Sequence, residues 1–260
     1  MNAKLDYEAK VVTETVTNSR FKQFAKKIPF TRRVIENLNQ QYERDKFVVS
    51  ELRSIETGAL ILDAGCGSQR YRSYCSNLEY KGQDFGEYSV DDKQMIGSKG
   101  VGGEKGYVYG KLTYKGNIWN IKEKDAHFDA ILCTEVFEHI PYPIETITEF
   151  SRLLKPGGKL ILTAPNACLR HMDPYFFYTG FSDNWYKKIL KDASLDIKVL
   201  EPVGDYYRYM AVEIARTIAS HSVFAKIVLF PAFIYYYYKK KTQLSVDTLC
   251  GGYHIVAIKQ

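Results

Sequence analysis

Short apolar runs alternate with amphipathic stretches along most of this chain. The run 59–62 leads into Asp63-Ala64-Gly65-Cys66-Gly67-Ser68, which is typical of a buried strand that ends in a tight turn. Further strands are predicted at 78–85, 111–118, 128–135, 159–165, 195–200 and 252–259, and helices at 69–75, 144–154, 183–191 and 206–220. This alternation predicts a doubly wound, mostly parallel, seven-stranded α/β sheet of the Rossmann-like kind.

The N-terminal region has a different pattern. Residues 1–55 are polar with helically spaced apolar positions, the clearest being Phe47, Val48, Leu52 and Ile55. We therefore predict an N-terminal helical cap over 1–55 and a main α/β domain over 56–260. The cap either covers an edge of the sheet or roofs a ligand site, and the pattern does not choose between them. The glycine-rich segment 86–111 is predicted to be a loop.

The most apolar stretch is 223–238, which is followed by Lys239-Lys240-Lys241. Sixteen residues that include a lysine and a proline are too few for a membrane-spanning helix. We expect a helical insertion near the C-terminus, packed into the core before the last strand. The alternative is an interfacial segment that makes peripheral membrane contact through 223–241.

Composition narrows the class of protein. The 260 residues are 45% hydrophobic and 25% charged, as in an ordinary globular protein, and 21 Tyr and 14 Phe suggest an aromatic-lined pocket. A net charge of +6 is too small and too scattered to indicate nucleic-acid binding. The first residues lack the apolar core of a signal peptide, and five cysteines show no C-x-x-C spacing. We therefore expect free thiols and a cytoplasmic location.

The glycine turn predicts a nucleotide-type ligand site. Gly65 and Gly67 allow positive φ angles and a close approach of ligand to main chain. A helix over 69–75 would aim its first N–H groups at the same point. Asp84 follows about twenty residues later, where this architecture places a carboxylate that accepts hydrogen bonds from ribose hydroxyls. Arg70 occupies the place of the third glycine in a dinucleotide fingerprint, which argues against a dehydrogenase.

Several segments together resemble class I S-adenosylmethionine-dependent methyltransferases: Ile61–Gly67, Asp84, Asn117-Ile118, Phe128–Ile131, Glu138-His139-Ile140 and Leu154–Leu160. The resemblance covers about residues 55–165 and continues weakly to the end. It implies S-adenosylmethionine as the cofactor. It also implies roles for matched positions: Asp63, Gly65, Cys66 and Gly67 along the methionine part, Asp84 at the ribose, Phe85, Asn117 and Ile118 near adenine, and Thr134 and Glu135 beneath the cofactor.

Two histidines are the candidate catalytic residues. A sulfonium methyl is already electrophilic, so the enzyme mainly aligns the acceptor, and a hydroxyl acceptor also needs its proton removed. His139 and His171 each follow the carboxyl end of a predicted strand, where ligands bind in open α/β sheets. The resemblance adds a second hypothesis, in which Glu135, Glu138, His139 and His171 hold a divalent metal. The structural role of the Glu-His-Ile segment is favoured, and no metal is assigned.

The expected activity is O-methylation of a small-molecule, sugar or lipid-linked acceptor, with the acceptor pocket roofed by the N-terminal helices and the aromatic loop 170–181. One alternative is an RNA 2′-O-methyltransferase, although no basic stripe favours nucleic acid as a partner. The other is a non-catalytic relative that binds the cofactor without turnover. The identity of the acceptor and the oligomeric state cannot be read from the sequence.

Overall fold

A computed structural model describes residues 40–87, 109–172, 174–220 and 223–260. Its sheet contains β1 (Leu60–Ala64), β2 (Glu79–Asp84), β3 (Tyr114–Lys115), β4 (Phe128–Thr134), β5 (Leu154–Pro165), β6 (Leu195–Val203) and β7 (Gly252–Lys259). The order is β3-β2-β1-β4-β5-β7-β6, and only β7 runs antiparallel to its neighbours. The predicted doubly wound, mostly parallel sheet of seven strands is confirmed.

Six α-helices occur in the described residues: α1 (Gln40–Arg53), α2 (Pro143–Leu153), α3 (Asp183–Asp192), α4 (Tyr206–Ser220), α5 (Val223–Tyr238) and α6 (Gln243–Thr248). Local sequence sets where they begin. Pro143 occupies the first turn of α2, where its missing N–H costs nothing. The Ser182 side chain caps α3 by accepting a hydrogen bond from the Trp185 N–H at 3.2 Å.

The core has one cluster on each face of the sheet, because successive side chains of a strand point to opposite faces. Ile131 packs in the cluster covered by α2 and α3, whereas its neighbour Leu132 packs in the cluster that includes Val48 and Leu52 of α1. The end of the N-terminal region thus contributes directly to the sheet's core. The helices predicted before Gln40 and most of the loop predicted at 86–111 lie outside the described residues.

The helix predicted at 69–75 was wrong. The segment forms turns and a three-residue 3₁₀ helix, Arg72–Tyr74. Gln69 adopts a left-handed φ of 60°, which an α-helix does not tolerate, and Arg70 is drawn away by an ion pair with Asp45 of α1 at 2.5 Å. No helix N-terminus therefore points at the glycine turn in this described segment. The third strand is also shorter than predicted, at two residues.

The expectation that 223–238 packs into the core was wrong as well. The run is helical over its predicted length, but none of the residues of α5 is buried. The helix instead lies against α4 and leaves large apolar side chains in solvent, including Phe224, which is 75% exposed. Among the described helices, none has the length and apolar character needed to cross a bilayer.

Candidate functional site

A cleft of about 550 Å³ opens at the carboxyl ends of β1, β2 and β4. The parallel strands bring their following segments to this edge, and α1 and the loop after β5 complete the walls. Eleven of the sequence-predicted site residues line it: Asp63, Gly65, Cys66, Asp84, Phe85, Asn117, Ile118, Thr134, Glu135, His139 and His171. The structure thus brings together all the predicted residues except Gly67.

The turn after β1 is shaped by Gly65. Its φ is 72°, and an added Cβ would lie 2.4 Å from a methyl carbon of Val136. Both the backbone conformation and the neighbouring side chain therefore exclude any larger residue. The N–H groups of Gly65 and Cys66 both donate to the main-chain oxygen of Gln83 at 2.9 Å, which ties the turn to β2.

Gly67 does not line the cleft but positions a residue that does. Its N–H donates to one carboxylate oxygen of Asp84 at 2.9 Å, and the Gly86 N–H donates to the other at 3.2 Å. Burial raises the pKa of Asp84, and these two amides oppose that rise. Each oxygen keeps a further lone pair, so the held carboxylate can still accept hydroxyl donors from a ligand.

Asp63 forms the floor of the cleft at the end of β1. It is buried, and its carboxyl accepts a hydrogen bond from the Tyr80 hydroxyl at 2.5 Å. Burial raises the pKa of Asp63 to about 7, despite the lowering effect of the Tyr80 hydrogen bond. This carboxyl is therefore poised between its neutral and charged forms near physiological pH.

Arg44 is the site residue that sequence reasoning missed. It reaches from α1 into the cleft, where its guanidinium lies 2.9 Å from the Glu135 carboxylate, and its buried Nε has no hydrogen-bond partner. Glu135 has a left-handed φ of 52° and also accepts a hydrogen bond from the Thr163 hydroxyl. The available signal was spacing, because Arg44 lies four and eight residues before the buried Val48 and Leu52 and so shares their helix face.

The two candidate histidines meet at the opposite wall, with ring centroids 4.7 Å apart. Nδ1 of His139 lies 2.6 Å from the Tyr175 main-chain oxygen, and Nδ1 of His171 lies 2.8 Å from that of Leu169. A carbonyl oxygen only accepts, so each Nδ1 carries the hydrogen and each neutral ring keeps its lone pair on Nε2. Burial lowers the pKa of His139 to about 4, so this ring is neutral at pH 7.

Glu138 lies beside these rings, and one of its carboxyl oxygens has no hydrogen-bond partner. Its Oε2 is buried without a partner, and burial, followed by the nearby Glu135 charge, raises its pKa to about 8. The ligand atoms of Glu138, His139 and His171 all lie within 4.8 Å of one another. Glu135 is not part of this group, because its carboxylate is engaged by Arg44 and Thr163. One carboxylate and two imidazoles suit a borderline divalent cation.

An aromatic wall closes the same side of the cleft. Tyr175 and Phe177 come from the loop after β5, and the Tyr175 ring packs edge-on against Phe85 with centroids 5.0 Å apart. The N–H groups of Phe177 and Tyr178 both donate to the Glu138 main-chain oxygen, at 2.9 and 3.2 Å. The loop is therefore fixed to the segment that carries the histidines and offers them an apolar surface.

Comparison with known proteins shows what this architecture is similar to. Residues 62–162, which contain the end of β1, the glycine turn, β2, β3, β4 and most of β5, match the family described as "Methyltransferase domain". Over these residues the chain is similar to a methyltransferase domain. The ubiquinone biosynthesis O-methyltransferase of Dechloromonas aromatica (strain RCB) is 30% identical over 122 residues, which cover 46% of this chain and 49% of that protein. The chain spans about half or less of the length of the curated relatives it matches.

Solved structures agree with the methyltransferase domain in fold. A putative sarcosine dimethylglycine methyltransferase from Galdieria sulphuraria superimposes with a TM-score of 0.52 at 15% identity, covering 85% of each chain. The [4+2]-cyclase SpnF superimposes with a TM-score of 0.51 at 19% identity, covering 84% of this chain and 80% of that one. Because these two similar folds carry names of different activities, the reaction has to be argued from the site.

Proposed function

We propose that this chain is an S-adenosylmethionine-dependent methyltransferase that methylates a hydroxyl group on a small-molecule, sugar or lipid-linked acceptor. The observation that carries the proposal is the cleft itself. A carboxylate held for hydroxyl donors at Asp84 faces a wall where His139 and His171, each with Nδ1 at a main-chain oxygen, lie beside aromatic side chains. The first part suits a nucleoside, and the second suits an acceptor that has to lose a proton.

The residues present fit the proposed cofactor. Gly65 leaves room against Val136 where any side chain would intrude, and Asp84 can accept hydrogen bonds from ribose hydroxyls. The Arg44 guanidinium, with its unpartnered Nε, can receive the carboxylate of the methionine part. Carboxyl groups at Asp63 and Glu135 suit a ligand that also carries positive charge. When bound, S-adenosylmethionine supplies a methyl group on a positively charged sulfur.

The chain's own residues would then align the acceptor and take its proton. Nε2 of His171 or His139 can accept a proton from the acceptor hydroxyl, because each Nδ1 is already committed to a main-chain oxygen. Tyr175 and Phe177 would pack against the acceptor and exclude water from the transfer. No covalent intermediate on the protein is needed, so positioning and proton removal are its main contributions.

The kind of acceptor is inferred from the site and its relatives. The curated relatives are named ubiquinone biosynthesis O-methyltransferases, which supports a hydroxyl on a small molecule. RNA is less well supported: among the described lining residues the only Lys or Arg side chains are Arg44 and Arg70, and both are paired with acids. A backbone-tracking groove would need cations that are free to meet phosphates.

A second mechanism in the same cleft is assistance by a divalent metal. Its support is the convergence of Glu138, His139 and His171, together with the unmet buried oxygen of Glu138. A cation at that point would lower the pKa of an acceptor hydroxyl. Activity that falls on addition of EDTA and returns with magnesium or zinc would establish this mechanism, whereas indifference to both would remove it.

The proposal also includes a cytoplasmic location. All five cysteines are free, and four of them are buried. Unpaired thiols are typical of reducing compartments. Localisation of the tagged full-length protein in its host cells tests this point, and a disulfide formed by the native protein would contradict it.

Calorimetric titration tests the proposed cofactor. We expect S-adenosylmethionine and S-adenosylhomocysteine to bind the full chain and NAD not to bind, since Arg70 replaces the third fingerprint glycine. A methyl-transfer screen over quinols, glycans and lipid-linked hydroxyl compounds then tests the acceptor class. Binding of NAD alone would overturn the proposal, and cofactor binding with transfer only to RNA would replace its acceptor.

A further inference from the structure

Helix α5 carries the largest group of exposed apolar side chains among the described residues, and they share one side of the helix. Phe224 is 75% exposed and Ile227 is 68% exposed. At 3.6 residues per turn, the exposed positions fall within about half of the helix circumference and extend along about 24 Å of its length. We call this side the apolar stripe; its exposed large apolar members are Val223, Phe224, Ile227, Val228, Phe230, Tyr235 and Tyr238.

The opposite side of α5 is held by the protein. The Tyr236 ring lies 6.4 Å from the rings of both Tyr206 and Tyr207, at the start of α4. The end of α5 therefore lies beside the beginning of α4, and the two helices form an antiparallel hairpin. A free interfacial helix needs a polar side facing water. Here α4 takes that place, so the stripe is presented outward on a supported helix.

The charged residues near the stripe indicate what kind of surface it binds. It ends at Lys239-Lys240-Lys241, all exposed, and Lys226 adds another exposed cation near its start. The segment 223–241 contains no Asp or Glu. Tyr235 and Tyr238 lie at the basic end, and the Lys239 ammonium lies 4.9 Å from the Tyr235 ring centroid. Tyrosine beside lysine at the end of an apolar surface matches the interface of a bilayer with anionic headgroups.

The strand directions place this hairpin at the same end of the strands as the cleft. β6 is antiparallel to β7, which is antiparallel to β5, so β6 points the same way as β4 and β1. The hairpin follows the carboxyl end of β6, and the cleft opens at the carboxyl ends of β1 and β4. The helix that carries the stripe therefore follows a strand end on the same side of the molecule as the cleft.

We propose that the apolar stripe and Lys239–Lys241 dock this protein on an anionic phospholipid bilayer, with α5 lying in the interface. The apolar side chains enter the boundary between headgroups and acyl chains, and the lysines bind headgroup phosphates. This inference is independent of methyl transfer, because it rests on residues outside the cleft. A second copy of this chain is the competing occupant, and the test distinguishes it.

The test is flotation of the full chain with vesicles of phosphatidylcholine alone or of phosphatidylcholine with phosphatidylglycerol. We expect the protein to float with the anionic vesicles at low salt and to be released as salt rises. Changing Lys239, Lys240 and Lys241 together to Gln should weaken this partitioning on the order of 100-fold, at the usual contribution of a lysine near an anionic surface. Phe224→Glu with Ile227→Glu should weaken it at least as much.

Matched variants control for charge and folding. Lys187, Lys188 and Lys191 of α3 changed together to Gln remove the same charge elsewhere, and Ile144→Glu adds a charge at another exposed isoleucine. Both controls should float like the wild type, and thermal unfolding should show all variants folded. Equal binding to neutral and anionic vesicles, or equal loss in the controls, would overturn the inference. So would a lipid-free dimer that Ile227→Glu dissociates without any effect on flotation.

Discussion

The cleft and the α4–α5 hairpin lie at the same edge of one sheet, yet they treat apolar side chains in opposite ways. Beneath the cleft, Ile131 is fully buried, and in the cleft the Asp84 carboxylate is held by two main-chain amides. On the hairpin, Ile227 is 68% exposed and the apolar surface has no cover from the described residues. The same residue type is thus found in two environments: Ile131 packs against protein, and Ile227 faces solvent.

This difference shows that an apolar segment predicts that its side chains will be covered, but not which surface covers them. β4 is covered by helices on both faces because its neighbours along the chain are amphipathic and complementary to it. Apart from Lys226, α5 carries apolar or tyrosine side chains on all sides, and α4 covers only one of them. A protein that leaves such a surface exposed generally meets a partner or a membrane there.

The largest effect should fall on the histidines of the cleft. Whichever of His171 and His139 takes the proton, its change to Ala should lower kcat about 10²–10⁴-fold on a hydroxyl acceptor, because proton removal from the acceptor is lost. His127→Ala, outside the cleft, and Ile227→Ala on the hairpin should leave kcat on a soluble acceptor unchanged. Steady-state methyl transfer measures this, with calorimetry to verify that S-adenosylmethionine still binds. Full activity in both histidine variants would remove the proposed base.

The next effect is on stability and uses matched isoleucines. Ile131→Ala should cost about 2–5 kcal/mol of the free energy of unfolding, because it empties a fully buried site. Ile227→Ala should change it by about 0.5 kcal/mol or less, since this side chain is already in solvent. Urea unfolding of both variants without lipid gives the comparison. A large cost at Ile227 would mean that the hairpin is packed against something in solution and would break the contrast.

Much of the α/β core was predictable because its signals are local. The acid and glycines that follow 59–62 locate the turn, and the roughly twenty residues to Asp84 locate the end of β2. Parallel topology then brings these ends together without further information. The residues that line the cleft could therefore be named from spacing, even though their roles stay predictions.

The failures were set by contacts between distant parts of the chain. Arg70 looked compatible with a helix, but its ion pair with Asp45 joins two segments that no local pattern connects. Arg44 lies in the polar N-terminal region, and only the fold shows that its guanidinium contacts Glu135. The exposure of α5 depends on how much of its surface α4 covers. The hydrophobicity of the segment does not predict that coverage.

The pH dependence of the free energy of unfolding should distinguish the cleft, which contains Asp63, from the hairpin. The pKa of Asp63 is about 7 in the folded chain, above the ordinary value it has when unfolded. Between about pH 4 and 7 the unfolded chain loses this proton while the folded chain keeps it, so stability should fall as pH rises through that window. Asp63→Asn removes this contribution and should gain on the order of 2–4 kcal/mol relative to wild type between pH 4 and pH 8.

Urea unfolding of both proteins across that range measures the difference. Asn can still accept the Tyr80 hydrogen bond, so the comparison isolates the charge. Asp125→Asn, at an exposed carboxyl, is the matched control and should follow the wild-type curve. Parallel curves for wild type and Asp63→Asn would show that Asp63 is already ionised throughout. The hairpin segment 223–241 has no acid, so its lysine variants should not alter the curve over this range.

The smallest effect, on ligand binding, separates the two regions most sharply. Asp84→Asn replaces one acceptor oxygen by a donor that faces an N–H of Gly67 or Gly86, and it removes the charge proposed to bind ribose hydroxyls. The Kd for S-adenosylmethionine should rise about 10–100-fold by calorimetry, as for loss of a hydrogen bond to a charged group. Asp192→Asn should leave it unchanged.

Asp84→Asn should still float with anionic vesicles, whereas the triple lysine variant should bind cofactor normally and stay in solution. If either variant loses both properties while thermal unfolding shows it folded, the cleft and the hairpin are one coupled site.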